Sequence, residues 1–400
     1  MRRRSSRTIA AAKLREERTF MGQHRARLWG FTRLVRRTIK QFAVAAAALL
    51  CACSTVRTTV STPVILDPEF HPINRGWGSP VWQDEFNGTS LDATKWVVAR
   101  FCGGYNQERQ CYTDRPDNLS VGGGSLTITA WRQLPEEDDD ERALRCDGDD
   151  ISVAPNEVGI VTCPASDPLK PDYDYSSARI HTNVPGSPHA WTYGRIEIRA
   201  RMPYGQGTWP AFWMLPLPPA DPWPQSGEID ILETVNLHIF SPADFKPTDF
   251  VQSNVHLCSD DPSYPIDPNA STSAQTLCQS WGSGYHKVHQ PLSLQLGNFV
   301  GTTPDLTRSF HTYAVEWTDV DMRFFVDDQF LGQVMHGPDS QNHAPFQHPF
   351  YLIINLAIGG AMPGAPNPAL WALFHRALLS LDWVRIYACG GDPTAKNCAY

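Results

Sequence analysis

The segment Gly227-Glu228-Ile229-Asp230-Ile231-Leu232-Glu233 interleaves three carboxylates with aliphatic side chains. Successive side chains on a β-strand face opposite ways, so Glu228 and Asp230 share one face while Ile229 and Ile231 share the other. A regular strand would turn Glu233 into the apolar layer, where an unpaired carboxylate is very costly. One extra residue, a β-bulge around Ile231–Leu232, resets the alternation and returns Glu233 to the acidic face. Three gathered acids repel one another, so the arrangement brings no structural gain. It suits chemistry that needs opposed carboxylates, such as double displacement at a sugar's anomeric carbon, where the pair stands about 5–5.5 Å apart. Each same-face step along a strand spans about 7 Å, and Glu side chains can close the remaining gap.

The roles follow from charge. Beside ionised Glu228 and Asp230, Glu233 is expected to have a raised pKa and to serve as the acid. Once Glu228 is esterified by a sugar its charge disappears, and Glu233 can ionise and activate water. Asp230, between them, would hydrogen-bond to the nucleophile and tune it. The competing reading of the same residues is a solvated acidic strand face.

These residues need rigid strands to hold them. Short β-rich runs separated by Gly, Pro, Asn and Asp recur at Leu126–Ala130, Gly194–Met202, Gly227–Glu233, Phe310–Trp317, Met322–Val326, Phe350–Leu356 and Leu381–Tyr387. Such spacing, without long 3.6-period segments, predicts an antiparallel sandwich in one large domain over 76–400, its body starting near Trp77. Gln133–Tyr175, with its Glu-Glu-Asp-Asp-Asp run, and Ser259–Gln290 lack alternation and read as long surface loops.

Charge narrows the partners. Residues 1–53 hold 13 of the 34 basic residues and two of the 42 acidic ones, so residues 54–400 carry 21 basic against 40 acidic side chains. A body that acidic lacks the basic footprint that nucleic acids require and suits a neutral substrate. The basic start runs into the short apolar segment Phe42–Leu50, which reads as an export signal over 1–53 and is too short to span a membrane. Residues upstream of Met21 are not needed for it. Leu50-Cys51-Ala52-Cys53 also resembles a bacterial lipobox, with Cys53 the lipidation candidate; an ordinary cleaved signal without lipid is the alternative. Residues 54–75 read as a tether. The expected location is exported, either secreted or anchored by lipid to a bacterial membrane and facing the periplasm or exterior, as a monomer. Eight further cysteines form four close pairs along the chain, Cys102 and Cys111, Cys146 and Cys163, Cys258 and Cys278, Cys389 and Cys398. Several connectivities are open to eight thiols, and neighbour-to-neighbour bridging is favoured.

Tyr193-Gly194-Arg195-Ile196-Glu197-Ile198-Arg199, then Gly205-Gln206-Gly207-Thr208-Trp209-Pro210-Ala211-Phe212-Trp213-Met214-Leu215, then the acidic strand, closely resemble glycoside hydrolase family 16. The resemblance extends from Asp84-Glu85-Phe86-Asn87-Gly88 through Tyr112-Thr113-Asp114-Arg115, Phe310-His311-Thr312-Tyr313 and Asn355-Leu356-Ala357-Ile358-Gly359-Gly360 to Asp382-Trp383-Val384-Arg385-Ile386-Tyr387. It implies an all-β jelly-roll sandwich of two antiparallel sheets with a concave substrate cleft, and retaining endo-hydrolysis that needs no cofactor. Two residues between Asp230 and Glu233 resemble the laminarinase branch, which attacks β-1,3-glucans and implies mixed-linkage β-1,3-1,4-glucan as a further substrate. The unbulged branch has one residue there.

Carried over by position, Glu228 matches the nucleophile, Asp230 the assisting acid and Glu233 the acid/base. Trp223 matches a tryptophan that stacks near the cleavage site, and Trp209 and Trp213 match cleft aromatics, with core packing as the alternative. Asn106, Arg199, His256 and Asn355 match polar cleft positions. Against that, Arg199 could pair with Glu197 or another acid, His256 could be a satisfied core histidine, and Asn355 a buried strand amide. Family members often hold a structural calcium on the convex side, which would use Asp382 and Glu85 here; metal-free packing is the alternative. The chain departs from the pattern at Gly359-Gly360-Ala361-Met362-Pro363-Gly364, where a tryptophan usually follows the glycines. Two further readings are a non-catalytic β-glucan-binding module and the same hydrolysis on a galactan such as agar or carrageenan.

Overall fold

The structure is a computed structural model that describes residues 77–103, 106–132, 175–218, 220–238, 250–261, 271–289, 292–295, 305–336, 345–367, 371 and 375–388. Chain contacts define two units, Met1–Ile65 and Leu66–Tyr400, and every described residue belongs to the second. The export signal, Cys53, the tether, Cys146, Cys163, Cys389, Cys398 and nearly all of the 133–175 loop lie outside the described residues.

Two sheets face each other. The larger runs in the order β17 (Gln329–Met335), β16 (Asp321–Val326), β15 (His311–Trp317), β9 (Gly194–Arg201), β19 (Arg376–Tyr387), β6 (Ser125–Arg132), β7 (Tyr175–Ser177), β4 (Gln110–Tyr112) and β3 (Phe101–Cys102). In it β1 (Trp82–Asp84) also pairs with β19, and β5 (Leu119–Gly122) with β6. The second sheet runs β13 (His286–His289), β12 (Phe250–Ser259), β11 (Glu228–Glu233), β10 (Thr208–Pro216), β18 (Phe350–Ile358), β8 (Arg179–His181) and β2 (Val97–Ala99), with β14 (Leu292–Gln295) also on β12. Pairing is antiparallel except between β4 and β7, which run parallel. This is the expected jelly-roll architecture.

Strand periodicity divides each element between core and surface. On β9, Ile196, Ile198 and Ala200 are buried in the layer between the sheets, opposite Phe212, Ile229 and Val255 of the second sheet. The alternate β9 residues point outward, and Arg195 there is buried among Glu197 at 2.7 Å, Glu316 at 2.9 Å and Asp328 at 2.7 Å. Trp77 is fully buried and donates its indole N–H to Glu316 at 3.2 Å. β18 buries all nine residues because both its faces are covered: Leu352, Ile354, Leu356 and Ile358 enter the core, while Ile353, Asn355 and Ala357 alternate onto the opposite face.

All seven expected strand regions are present. The Ser259–Gln290 segment is not simply a loop, however. It contains α1 (Thr272–Gln279) and all of β13. Ser271 caps α1 by accepting the Ala274 N–H at 3.2 Å, and the buried Cys278 closes a disulfide to Cys258 on β12. The other described disulfide joins Cys102 and Cys111, which sit opposite each other on β3 and β4. Both bridges are the neighbour pairings expected.

Candidate active site

β11 positions the three acids, and its register shows how. Against β12, Glu228 pairs with His256, Ile229 with Val255, Asp230 with Asn254 and then Glu233 with Gln252. Ile231 and Leu232 together therefore face Ser253 alone, and both are buried in the core. The bulge lies where the apolar demand of these two residues requires it, and Ser253 secures it by donating its hydroxyl to the Ile231 carbonyl at 2.7 Å. The same shift appears against β10, where Asp230 pairs with Trp213 and Glu233 with Ala211. All three acids consequently share one face with Trp213, Trp209, Asn355 and His256.

Each acid is held by a different partner. Glu228 Oε2 accepts the Trp223 indole N–H at 2.5 Å, and Glu233 Oε1 accepts that of Trp209 at 3.0 Å. Asp230 is 3% exposed, hydrogen-bonds to Glu228, and lies 3.3 Å from His256 Nε2. Burial raises all three pKa values. Glu228 is pushed up to about 8 by burial and then by Asp230; Glu233 is pushed up to about 7, chiefly by burial, with Trp209's hydrogen bond opposing and Glu228's charge adding to the rise. Asp230 rises well above the ordinary range through burial and the charge of Glu233. The expectation that Glu233 alone would be raised is therefore incomplete. The trio titrates as a unit, and the hydrogen bond between Glu228 and Asp230 raises the pKa of Glu228 and lowers that of Asp230. Trp223's N–H favours charge on Glu228, which has His256 nearby as well.

The floor beside the acids is a hydrogen-bonded chain. Trp213 donates its indole N–H to Asn355 Oδ1 at 2.7 Å, and Asn355 donates its amide to the Tyr112 hydroxyl at 3.0 Å. The Arg179 guanidinium lies over the rings of Trp213 and Phe101, at 4.9 and 5.3 Å from their centroids. Trp209, Trp213, Trp223, His256 and Asn355 are thus brought together, His256 beside Asp230 and Asn355 as a strut within the floor. Asn106 is exposed on the rim, where its carbonyl accepts the Ala361 N–H at 2.8 Å. That seating requires glycine at 360: with φ of +116°, a Cβ there would meet the Asn106 carbonyl at 2.9 Å and the Trp209 ring at 3.0 Å. Met362, in the segment where the pattern has a tryptophan, packs against the cluster of Trp209, Val235 and Ala357.

Sequence reasoning missed Glu108 and Arg179. Glu108 accepts from the Gln110 amide at 2.8 Å and the Tyr112 hydroxyl at 3.5 Å, and burial raises its pKa. Its charge is one of those that raise Glu233, which makes it a fourth carboxylate of the cleft. The spacing of Glu108, Gln110 and Tyr112 at alternate positions of an extended segment was the available signal.

Arg199 is the site residue the structure does not bring to the cleft. It lies on β9 of the other sheet, paired with Asp382 and stacked over Phe310 at 5.3 Å, so the ion-pair alternative holds. The two calcium candidates follow the metal-free alternative. Asp382 is neutralised by Arg199, and Glu85 takes a two-pronged bond from Arg385 at 2.8 and 2.9 Å. A cation would have to displace an arginine at either carboxylate, so these two residues do not fit calcium. Among the described residues, Glu228, Asp230 and His256 have the spacing of a metal-holding group, with ligand atoms within 4.8 Å of one another.

Comparison with known proteins agrees with this geometry. Residues 185–249 match the XgeA-like catalytic GH16 domain, and residues 269–376 match glycosyl hydrolases family 16. A β-glucanase from Rhodothermus marinus is 34% identical over 320 residues, covering 77% of this chain and 84% of the relative. Glucan endo-1,3-beta-glucosidase A1 from Niallia circulans is 30% identical, but the chain spans 37% of that longer protein. The X-ray structure of the laminarinase from Rhodothermus marinus superposes with a TM-score of 0.51 at 32% identity, covering 77% of this chain and 96% of that one. With its bulged acidic strand carried on the matching sandwich, the chain belongs to glycosyl hydrolases family 16, as a laminarinase-like glycoside hydrolase.

Proposed function

We propose that this hydrolase is a retaining endo-β-1,3-glucanase that cuts laminarin-like chains, and mixed-linkage β-1,3-1,4-glucan as well, through a glycosyl-enzyme. The observation that carries the reading is the bulge, which sets two glutamates on one face, each taking an indole N–H, with Asp230 between them. In the first step Glu228 attacks the anomeric carbon. The glycosidic C–O bond breaks as Glu233 delivers its proton to the departing oxygen, while Asp230 takes up the proton it shares with Glu228. Loss of the Glu228 charge on esterification lowers the pKa of Glu233, which is now a carboxylate. It takes a proton from water, the water oxygen forms the new bond to the anomeric carbon, and Glu228 is released. Two displacements leave the configuration unchanged.

Tryptophans suit the apolar C–H faces of sugar rings, and the acidic body over residues 54–400 suits a neutral polymer. The laminarinase-like relatives support β-1,3-glucan over a galactan, whereas the bulge is shared with some galactan-cleaving enzymes. The test is a polysaccharide panel of laminarin, mixed-linkage glucan, agar and carrageenan, reading reducing ends and chain length. Rapid shortening of laminarin, abolished in Glu228→Gln, is expected. Hydrolysis of a galactan alone would overturn the polymer assignment, and binding without hydrolysis would favour a binding module.

We also propose that the chain is exported, as a monomer, with Cys53 as the lipid anchor. Mass spectrometry of the mature N-terminus tests this: a chain starting at an acylated Cys53 is expected, and residues upstream of Cys51 on the exported protein would contradict it.

A further inference from the structure

Lys287, on β13, is a cation that the reaction described above does not use. It is 6% exposed, and its Nζ lies 4.5 Å from the centroid of the Trp223 ring. A buried ammonium is costly unless its charge is answered, and here the face of the indole and the negative charge of Asp230 answer it. The same indole carries its N–H on Glu228 at 2.5 Å and has the His256 ring 5.7 Å away. One ring face of Trp223 is therefore taken by a cation, which departs from the expectation of a simple sugar-stacking platform.

Both partners hang from α1. Lys287 lies opposite Cys258 in the β12–β13 register, and Cys258 is bridged to Cys278 in α1. The Lys287 backbone N–H donates to Gln275 Oε1 of α1 at 3.2 Å. From the other side Gln225, two residues beyond Trp223, donates to the Leu277 carbonyl at 2.8 Å and to the Ser280 hydroxyl at 3.0 Å at the end of α1. A short helix fixed by a disulfide thus holds the cation and the loop bearing its aromatic partner in one frame. An ammonium is attracted to the electron-rich face of an indole, which favours one tilt of the ring, and in the structure that tilt aims the N–H at Glu228.

We propose that Lys287 is a positioning residue for the nucleophile: it holds Trp223 with its indole N–H on Glu228, and α1 with its disulfide is the frame that holds both. The inference rests on the assignment of Glu228 as nucleophile. Lys287 also faces Asp230, and whether its effect survives loss of the Trp223 indole separates the two routes.

The experiment is a double-mutant cycle in the full chain with Lys287→Met, Trp223→Phe and both together, reading kcat and KM on laminarin. Lys287→Met is expected to lower kcat roughly 5- to 50-fold with KM changed less than about twofold, and to have no further effect once Trp223 is Phe. Effects that multiply, or a change confined to KM, would overturn the proposal. If Lys287→Met fails to fold, Gln275→Ala loosens the same anchor; its loss of kcat should likewise vanish in the Trp223→Phe background, and an additive loss would overturn the proposal. Tryptophan emission provides a readout independent of turnover. The contribution of Trp223, obtained by subtracting the Trp223→Phe spectrum, should change when Lys287 becomes Met. An unchanged contribution would overturn the pairing even if laminarin proved not to be the substrate, while a changed one with no laminarin hydrolysis would count only against the polymer.

Discussion

Ser253 donates its hydroxyl to the backbone carbonyl of Ile231 at 2.7 Å, across the point where β11 gains a residue on β12. That bond links the core to the chemistry, because it fixes the bulge that returns Glu233 to the face of Glu228. Replacing Ser253 by Ala leaves a buried carbonyl without this donor, at a cost of about 1–2 kcal/mol in stability. Chemical denaturation should record that loss. The turnover of the folded fraction should fall several-fold at saturating laminarin, because Glu233 is less firmly held; unchanged turnover would separate the bulge from the reaction.

Protonation of the acid cluster links activity to stability. Glu228 is pushed up to about 8 in the folded chain from an ordinary carboxylate value near 4.5, so the folded state keeps a proton that the unfolded chain has lost. Stability attributable to this group is complete below about pH 4.5 and declines as pH rises towards about 8. Glu228→Gln removes the decline. The variant should therefore melt higher than the parent at pH 8 by an amount on the order of 1–3 kcal/mol, with the difference fading towards pH 4.5. Equal melting temperatures across this range would mean that Glu228 is not strained by burial.

Asp230 is expected to set the acidic side of the rate profile. Its charge raises the pKa of Glu228, and the two share a proton. Asp230→Asn should lower kcat by roughly 10- to 100-fold and move the acidic limb of kcat/KM to lower pH, because Glu228 then ionises more readily. A limb that stays in place would assign it to another group.

Metal should be dispensable. Asp382 and Glu85 are occupied by arginines, and the reaction uses only carboxylates and water. Treatment with EDTA should leave turnover and melting temperature unchanged. Added zinc, by contrast, should inhibit, because Glu228, Asp230 and His256 present three ligand atoms within 4.8 Å of one another. Loss of activity on chelation would contradict the metal-free account.

The acidic strand was the most legible part of the sequence. Ile231 and Leu232 both demand burial while Glu233 refuses it, so the bulge could be placed before any coordinates. Alternation within β9 is equally plain, and β18 reads as a near-continuous apolar run buried on both faces. β10 does not read as a central strand, because Pro210 lacks the N–H that such a strand normally uses; its carbonyl still accepts the Thr234 N–H at 3.5 Å. α1 carries little periodic signal, because only Ala274, Leu277 and Cys278 of its eight residues are apolar and its support comes from the Cys258–Cys278 tether and a serine cap. Arg199 was misplaced for a different reason. Strand alternation gives two faces, and only the sheet pairing reveals that β9 belongs to the sheet away from the acids. The burial that raises Glu228 together with Glu233 is also a property of the assembled floor, invisible in a single strand.

The central claim is that Glu228 attacks the sugar and forms an ester before water enters. Proton NMR of the sugar released in the first minutes of laminarin hydrolysis reads this directly, before the new reducing end equilibrates. The account predicts that the first signal is the β-anomer, with the α-anomer growing only as mutarotation proceeds. Initial appearance of the α-anomer would mean a single displacement by water and would contradict the assignment of Glu228.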